Sequence, residues 1–271
     1  MSTPRPLSVL FDLDGTLVDS EPNYYETGRR LLERYGVPDF TWEENARFIG
    51  IGTRETLETL RERYAIDVGL DALLAEYNGL YLELARASTE VFPEMRKLVE
   101  RLHARGVPTA VASGSSREAI MAVLEGTGLD AYLGEAAGGV VVSADEVPRG
   151  KPAPDVFLAA AARLRAEPGY CAVFEDAAPG VTAALAAGMR CAAIPYLGGR
   201  SDWGGWSDPS DSSDPSGLGD PGDSSGSSAL SEPGTTEPAP LDPAFDTADL
   251  LFTGGQADFT AEAAWVWLGL S

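Results

Sequence analysis

Short apolar runs at residues 7–11, 107–112, 139–142, 171–174 and 191–194 each stop at a polar or acidic residue, and each is followed by a helical pattern. Runs of this length suit strands better than helices, and their nearly continuous apolar character suits strands covered on both faces. Such strands alternating with helices define an α/β fold, so the spacing predicts a Rossmann-like, doubly wound parallel sheet. The helices have readable ends. Pro93 opens one whose Met95, Leu98, Val99 and Leu102 fall at helical spacing before Gly106, and Pro179 and Gly188 bracket an Ala-rich one. Residues 249–252 and 259–268 read as a last strand and helix returning to the sheet.

Two stretches break the rhythm. Residues 20–89 read as four amphipathic helices, at about 23–35, 42–48, 54–64 and 70–87, with no strand between them, which predicts a small inserted all-helical cap domain. Residues 201–240 hold 11 Ser, 8 Asp or Glu, 7 Gly and 6 Pro without apolar periodicity, so they cannot bury enough surface to offset chain entropy and are expected to be disordered. The expected division is a catalytic core of residues 1–19, 90–200 and 244–271, a cap of 20–89, and an acidic Ser/Gly/Pro-rich insert of 201–243.

Charge narrows the partners. With 42 acidic and 20 basic residues the net charge is -22, which argues against nucleic acid and anionic membranes, since both select clustered Lys and Arg. The sequence specifies no protein partner, and a small metabolite bound with a metal stays open. Cys171 and Cys191 lie in apolar runs without metal-ligand spacing and read as buried, reduced thiols. No secretory pattern or membrane-spanning apolar stretch occurs, so a soluble cytoplasmic enzyme is expected.

The chemistry gathers at predicted strand ends, where ligands of open α/β sheets bind. The first strand runs into Asp12-Leu13-Asp14-Gly15-Thr16. Alternate residues of an extended segment share a face, so Asp12 and Asp14 can reach one phosphate, and Gly15 permits a sharp turn away. A carboxylate can attack phosphorus while a second handles protons, which suits Asp12 as nucleophile and Asp14 as general acid/base. Two carboxylates facing a phosphate need a divalent cation, and Mg²⁺ commonly keeps one or two carboxylates and completes its shell from water and phosphate. Glu175-Asp176, directly after another strand, supply further metal-site acids. Ser113 and Gly114 offer a hydroxyl and backbone N–H groups ahead of a helix, and Lys151, one of only two lysines, can neutralise phosphoryl oxygens. Arg54, early in the cap, is the candidate to reach substrate. His103 is the only histidine and sits on a predicted surface, which removes Ser-His-Asp catalysis.

These motifs closely resemble the haloacid dehalogenase superfamily: Asp12-Leu13-Asp14-Gly15-Thr16 its first motif, Ser113 its second, Lys151 its third and Glu175-Asp176 its fourth. The resemblance implies Mg²⁺ held by Asp12, the Asp14 carbonyl and Asp176, with Glu175 assisting directly or through water. The helical segment and the run Phe174-Glu175-Asp176-Ala177-Ala178-Pro179-Gly180-Val181 are similar to the branch containing β-phosphoglucomutase, 2-deoxyglucose-6-phosphate phosphatase and pseudouridine-5'-phosphatase. That branch implies a cap that closes over the site and selects the leaving group. Asp14 argues for phosphoryl chemistry over dehalogenation. Tyr24 where the mutases carry a His, and the absence of any Lys before residue 97, favour hydrolysis of a sugar phosphate or nucleoside monophosphate. The alternatives are a sugar-phosphate mutase and a binding or regulatory protein acting through the acidic insert.

Overall fold

A computed structural model of the chain describes residues 8–48, 52–197 and 240–270. In chain order its elements are β1 (Ser8–Phe11), β2 (Val18–Asp19), α1 (Glu21–Arg34), α2 (Trp42–Ala46), α3 (Thr53–Arg63), α4 (Leu70–Ser88), β3 (Glu90–Val91), α5 (Pro93–Ala104), β4 (Thr109–Ser113), α6 (Arg117–Thr127), α7 (Asp130–Leu133), β5 (Val140–Ser143), α8 (Asp155–Leu164), β6 (Cys171–Glu175), α9 (Ala178–Ala186), β7 (Arg190–Ala193), β8 (Leu250–Leu251) and α10 (Ala261–Leu268).

Six strands form one parallel sheet in the order β5-β4-β1-β6-β7-β8. Its β-branched and alanine-rich strands are covered on both faces. Val9, Phe11, Val111, Ala172 and Phe174 join one apolar cluster with Val99 and Leu102 of α5, Ile120 of α6 and Trp265 of α10. The alternate residues Leu10, Ala110 and Val173 are equally buried but stand outside that cluster, as do Phe157 of α8 and Val181 of α9. Period-two side-chain alternation therefore separates two covered faces, the doubly wound arrangement expected. Central β1 pairs with β4 on one side and β6 on the other, with Phe11 opposite Val111 and Phe174. Hence the residues following β1, β4 and β6 emerge together at one edge.

The helices expected between residues 20 and 89 are present as α1 to α4, with ends within a few residues of their predicted positions. A capping box starts α2: Thr41 Oγ1 accepts from the Glu44 N–H, and the Glu44 carboxylate accepts from the Thr41 N–H. The chain enters and leaves this segment through the antiparallel ribbon of β2 and β3, Val18 opposite Val91 and Asp19 opposite Glu90. Asn23 bridges the same ends, donating to Thr89 Oγ1 at 2.7 Å and accepting from Ser88 Oγ at 3.0 Å. Strands of two residues are too short to leave periodicity, which is why the sequence did not announce them.

Helix α4 packs against α6 of the sheet layer. Gly126 makes that crossing close: a Cβ there would lie 2.6 Å from the Arg86 carbonyl oxygen and 2.9 Å from that of Ala85. The disorder expected for residues 201–243 falls almost wholly outside the described residues. No helix among the described residues is long and apolar enough to cross a membrane.

Candidate active site

Asp12 follows β1 directly, and its N–H donates to the Phe174 carbonyl of β6 at 3.0 Å, so the sheet ladder continues to the first acid of the cluster. The chain then turns. Gly15 takes a φ of +79°, its N–H donates to the Val18 carbonyl at 2.9 Å, and a Cβ at this position would overlap the Asp176 carboxylate. Only glycine satisfies both the left-handed backbone and that approach. Thr16 Oγ1 donates to Asp176 Oδ1 at 3.0 Å, tying the turn to the end of β6.

At the end of β4, Ser113 is buried, and its Oγ accepts from the Ser115 N–H at 3.0 Å and donates to Asp14 Oδ2 at 3.4 Å. The stronger hold on Asp14 comes from Ser115, whose Oγ donates to the same oxygen at 2.7 Å. Asp14 Oδ1 is buried with no hydrogen-bond partner. Gly114 is exposed in this turn, and Ser116 caps α6 by accepting from the Ala119 N–H at 3.2 Å. Ser143, ending β5, donates to the Ser115 carbonyl at 2.7 Å and fixes the turn from below. From α1, Tyr24 brings its hydroxyl within 3.4 Å of Ser115 Oγ.

Lys151 lies in the turn between β5 and α8, before a cis peptide bond to Pro152. Its ammonium contacts Asp12 Oδ1 and donates to Glu175 Oε1 at 2.6 Å, with Phe157 beneath it at 5.0 Å from the ring centroid. Glu175 Oε2 accepts from the Ala177 N–H at 2.8 Å. Burial works against the charged lysine, but the Asp12 and Glu175 carboxylates outweigh it and hold the ammonium protonated.

The acids are less well served. Burial pushes Asp12 up to about 8, with Glu175 and Asp14 adding to the effect and Lys151 opposing it. Burial, Glu175 and Asp12 likewise raise Asp176 well above the usual carboxylate range. Asp12, Asp14, Glu175 and Asp176 thus outnumber the one ammonium among them, and a divalent cation would relieve that imbalance; in this sense the residues fit a metal. Among the described residues, however, no three acidic, His or Cys side chains are grouped to hold an ion alone. A cation there would need backbone carbonyl, water or substrate oxygens as well, as Mg²⁺ usually does.

Of the residues singled out in the sequence, Asp12, Asp14, Ser113, Gly114, Lys151, Glu175 and Asp176 come together at this edge. Arg54 does not join them: it is exposed at the start of α3 and pairs with Asp71 at 2.8 Å. Sequence reasoning did not single out Ser115 or Gln256. Gln256, 92% buried, donates through Nε2 to the Thr16 carbonyl at 3.0 Å and the Gly15 carbonyl at 3.2 Å, from 241 residues beyond Gly15. Ser115 could have been found from its place two residues after a strand-end serine; Gln256 carries no local signal.

Residues 8–188 match the family model described as haloacid dehalogenase-like hydrolase. Over 193 residues the chain is 35% identical to the fructose-1-phosphate phosphatase YqaB of Escherichia coli, covering 71% of this chain and 98% of that protein. It is 35% identical over 192 residues to the bifunctional riboflavin kinase/FMN phosphatase of Arabidopsis thaliana; the match takes in 70% of this chain but spans about half, 48%, of that protein. Among solved structures, CbbY from Rhodobacter sphaeroides in complex with phosphate superposes with a TM-score of 0.62 at 23% identity, over 70% of this chain and 86% of that one, a likeness of fold.

Proposed function

The chain belongs to the haloacid dehalogenase-like hydrolases, and from that premise we propose a magnesium-dependent phosphatase that hydrolyses a small phosphorylated metabolite, a sugar phosphate or nucleoside monophosphate, through an aspartyl-phosphate intermediate. It is an enzyme of the phosphoric monoester hydrolase class, as its named relatives are. The observation that carries the reading is the pairing of Asp12, in contact with the Lys151 ammonium, with an Asp14 whose Oδ2 is anchored by Ser115 and whose Oδ1 has no partner.

In this reading the Asp12 carboxylate attacks phosphorus and forms an acyl phosphate as the bond to the leaving oxygen breaks. Asp14 gives that oxygen its proton, then takes one from the water that attacks the acyl phosphate, returning both acids to their starting states. Ser113 and the N–H of Gly114 hold phosphoryl oxygens, and Lys151 offsets their charge while keeping Asp12 aimed. Mg²⁺ would be held by Asp12, the Asp14 carbonyl and Asp176, with Glu175 assisting, and would supply charge neutralisation at the phosphoryl group. Residues 20–89 serve as a cap that selects the leaving group, Arg54 reaching substrate when it closes over the core of 1–19, 90–200 and 244–271. Two free, buried cysteines suit a cytoplasmic setting.

The test is release of inorganic phosphate from sugar phosphates, nucleoside monophosphates and p-nitrophenyl phosphate, with Mg²⁺ or chelator, for wild type and Asp12→Asn. Release is expected with Mg²⁺ alone, falling by about 10³-fold or more in the variant while the fold is kept. Activity that survives chelator or the substitution, or isomerisation of a phosphohexose without net release, would overturn the reading.

A further inference from the structure

Gln256 sits in the short turn Gly255–Ala257, 80 residues further along the chain than Asp176. That turn is anchored to the sheet and to the core. The Phe252 N–H donates to the Ala193 carbonyl at 2.9 Å, the Gly254 N–H donates to Asp258 Oδ2 at 2.8 Å, and Phe259 is buried against Phe174. From it one amide nitrogen reaches two consecutive carbonyls, those of Gly15 and Thr16, and so fixes both peptide planes of the turn after Asp14. The same Thr16 donates from its hydroxyl to Asp176 at 3.0 Å. The turn is thus held from two sides, by Gln256 at its carbonyls and by Asp176 at its side-chain hydroxyl.

We propose that Gln256 is a positioning residue for the reaction proposed above: it sets the turn that fixes Asp14 relative to Asp12 and, through Thr16, orients the Asp176 carboxylate, one of the groups that would hold the metal. The inference rests on that functional reading for its catalytic consequence, although its effect on Asp176 can be measured without turnover. Second-layer partners of this kind change metal affinity or activity by roughly 10–100-fold when removed. Methionine has nearly the shape of glutamine and no donor. Asparagine keeps the donor but is one methylene shorter, so it reaches fewer carbonyls.

The experiment compares wild type, Gln256→Asn and Gln256→Met in three measurements: steady-state phosphate release, calorimetric titration of the metal alone without substrate, and thermal unfolding. The expected order for kcat and for Mg²⁺ affinity is Gln above Asn above Met, with a tenfold or greater loss in Met, a substrate KM within about threefold, and unfolding temperatures close together. Equal kcat and metal affinity in folded Met and wild-type proteins would overturn the proposal, as would losses that follow unfolding temperature alone in both variants. Should wild type bind Mg²⁺ yet release no phosphate from any ester, the phosphatase reading fails, and the titration still decides whether Gln256 positions Asp176.

Discussion

Glu21, the first residue of α1, is a carboxyl whose surroundings pull in opposite directions. A helix N-terminus favours an anion by about 0.3–1 kcal/mol, but burial, with Asp14 and Asp19 adding to it, wins and pushes Glu21 from 4.5 up to about 7. The native protein therefore binds this proton more tightly than the unfolded chain does, and between about pH 4.5 and 7 Glu21 makes stability fall as pH rises. Glu21→Gln removes that slope: urea midpoints of variant and wild type should nearly coincide at pH 4, and the variant should be the more stable by pH 8. Parallel curves across that range would contradict the assignment. At this scale the legible residues were those with a local pattern. Asp12 and Asp14 alternate on an extended segment, and Glu175 and Asp176 adjoin an apolar run that gives adjacent acids no other purpose. Gln256 could not be read, because its meaning lies entirely in two carbonyls on a distant turn.

Helix α4 crosses α6 closely, and Gly126 permits it. Alanine would gain about 1 kcal/mol of helix propensity over glycine, yet its Cβ would meet backbone oxygens of Arg86 and Ala85 that no rotamer change can move. Overpacking of this kind costs about 1–3 kcal/mol, so Gly126→Ala should lower the urea midpoint despite the better helix former; a rise would mean that α4 yields freely. Strands and helices long enough to show a period were legible almost to the residue, α4 being expected at 70–87 and found at Leu70–Ser88. The β2–β3 ribbon was not, since two-residue strands have no period and their pairing joins residues on either side of four helices.

For the whole molecule, the net charge of -22 is a term that works against the fold. With 42 acids against 20 bases, repulsion among carboxylates opposes compaction. Many arginines are already engaged in exposed pairs, such as Arg47 with Glu43 and Arg117 with Glu146, each worth at most about 1 kcal/mol. Salt weakens those pairs and the repulsion alike, and the unbalanced excess makes the repulsion larger, so the unfolding temperature should rise as ionic strength goes from about 0.01 M to 0.15 M and the Debye length shrinks from about 30 Å to 8 Å; a fall would assign the net effect to the pairs instead. The α/β class was legible at this scale because a parallel sheet buried on both faces imposes its apolar runs wherever the strands fall in the sequence. Sheet order was not, since parallel neighbours such as β1 and β6 lie far apart along the chain. That same order has a consequence for the timing of synthesis. Asp12 leaves the ribosome before the groups that surround it, which follow at 113, 151, 175 and finally 256. An unfinished chain carries the two aspartates without the lysine that aims one or the glutamine that braces their turn. The contacts that hold the cluster are thus complete only once residue 256 has been added.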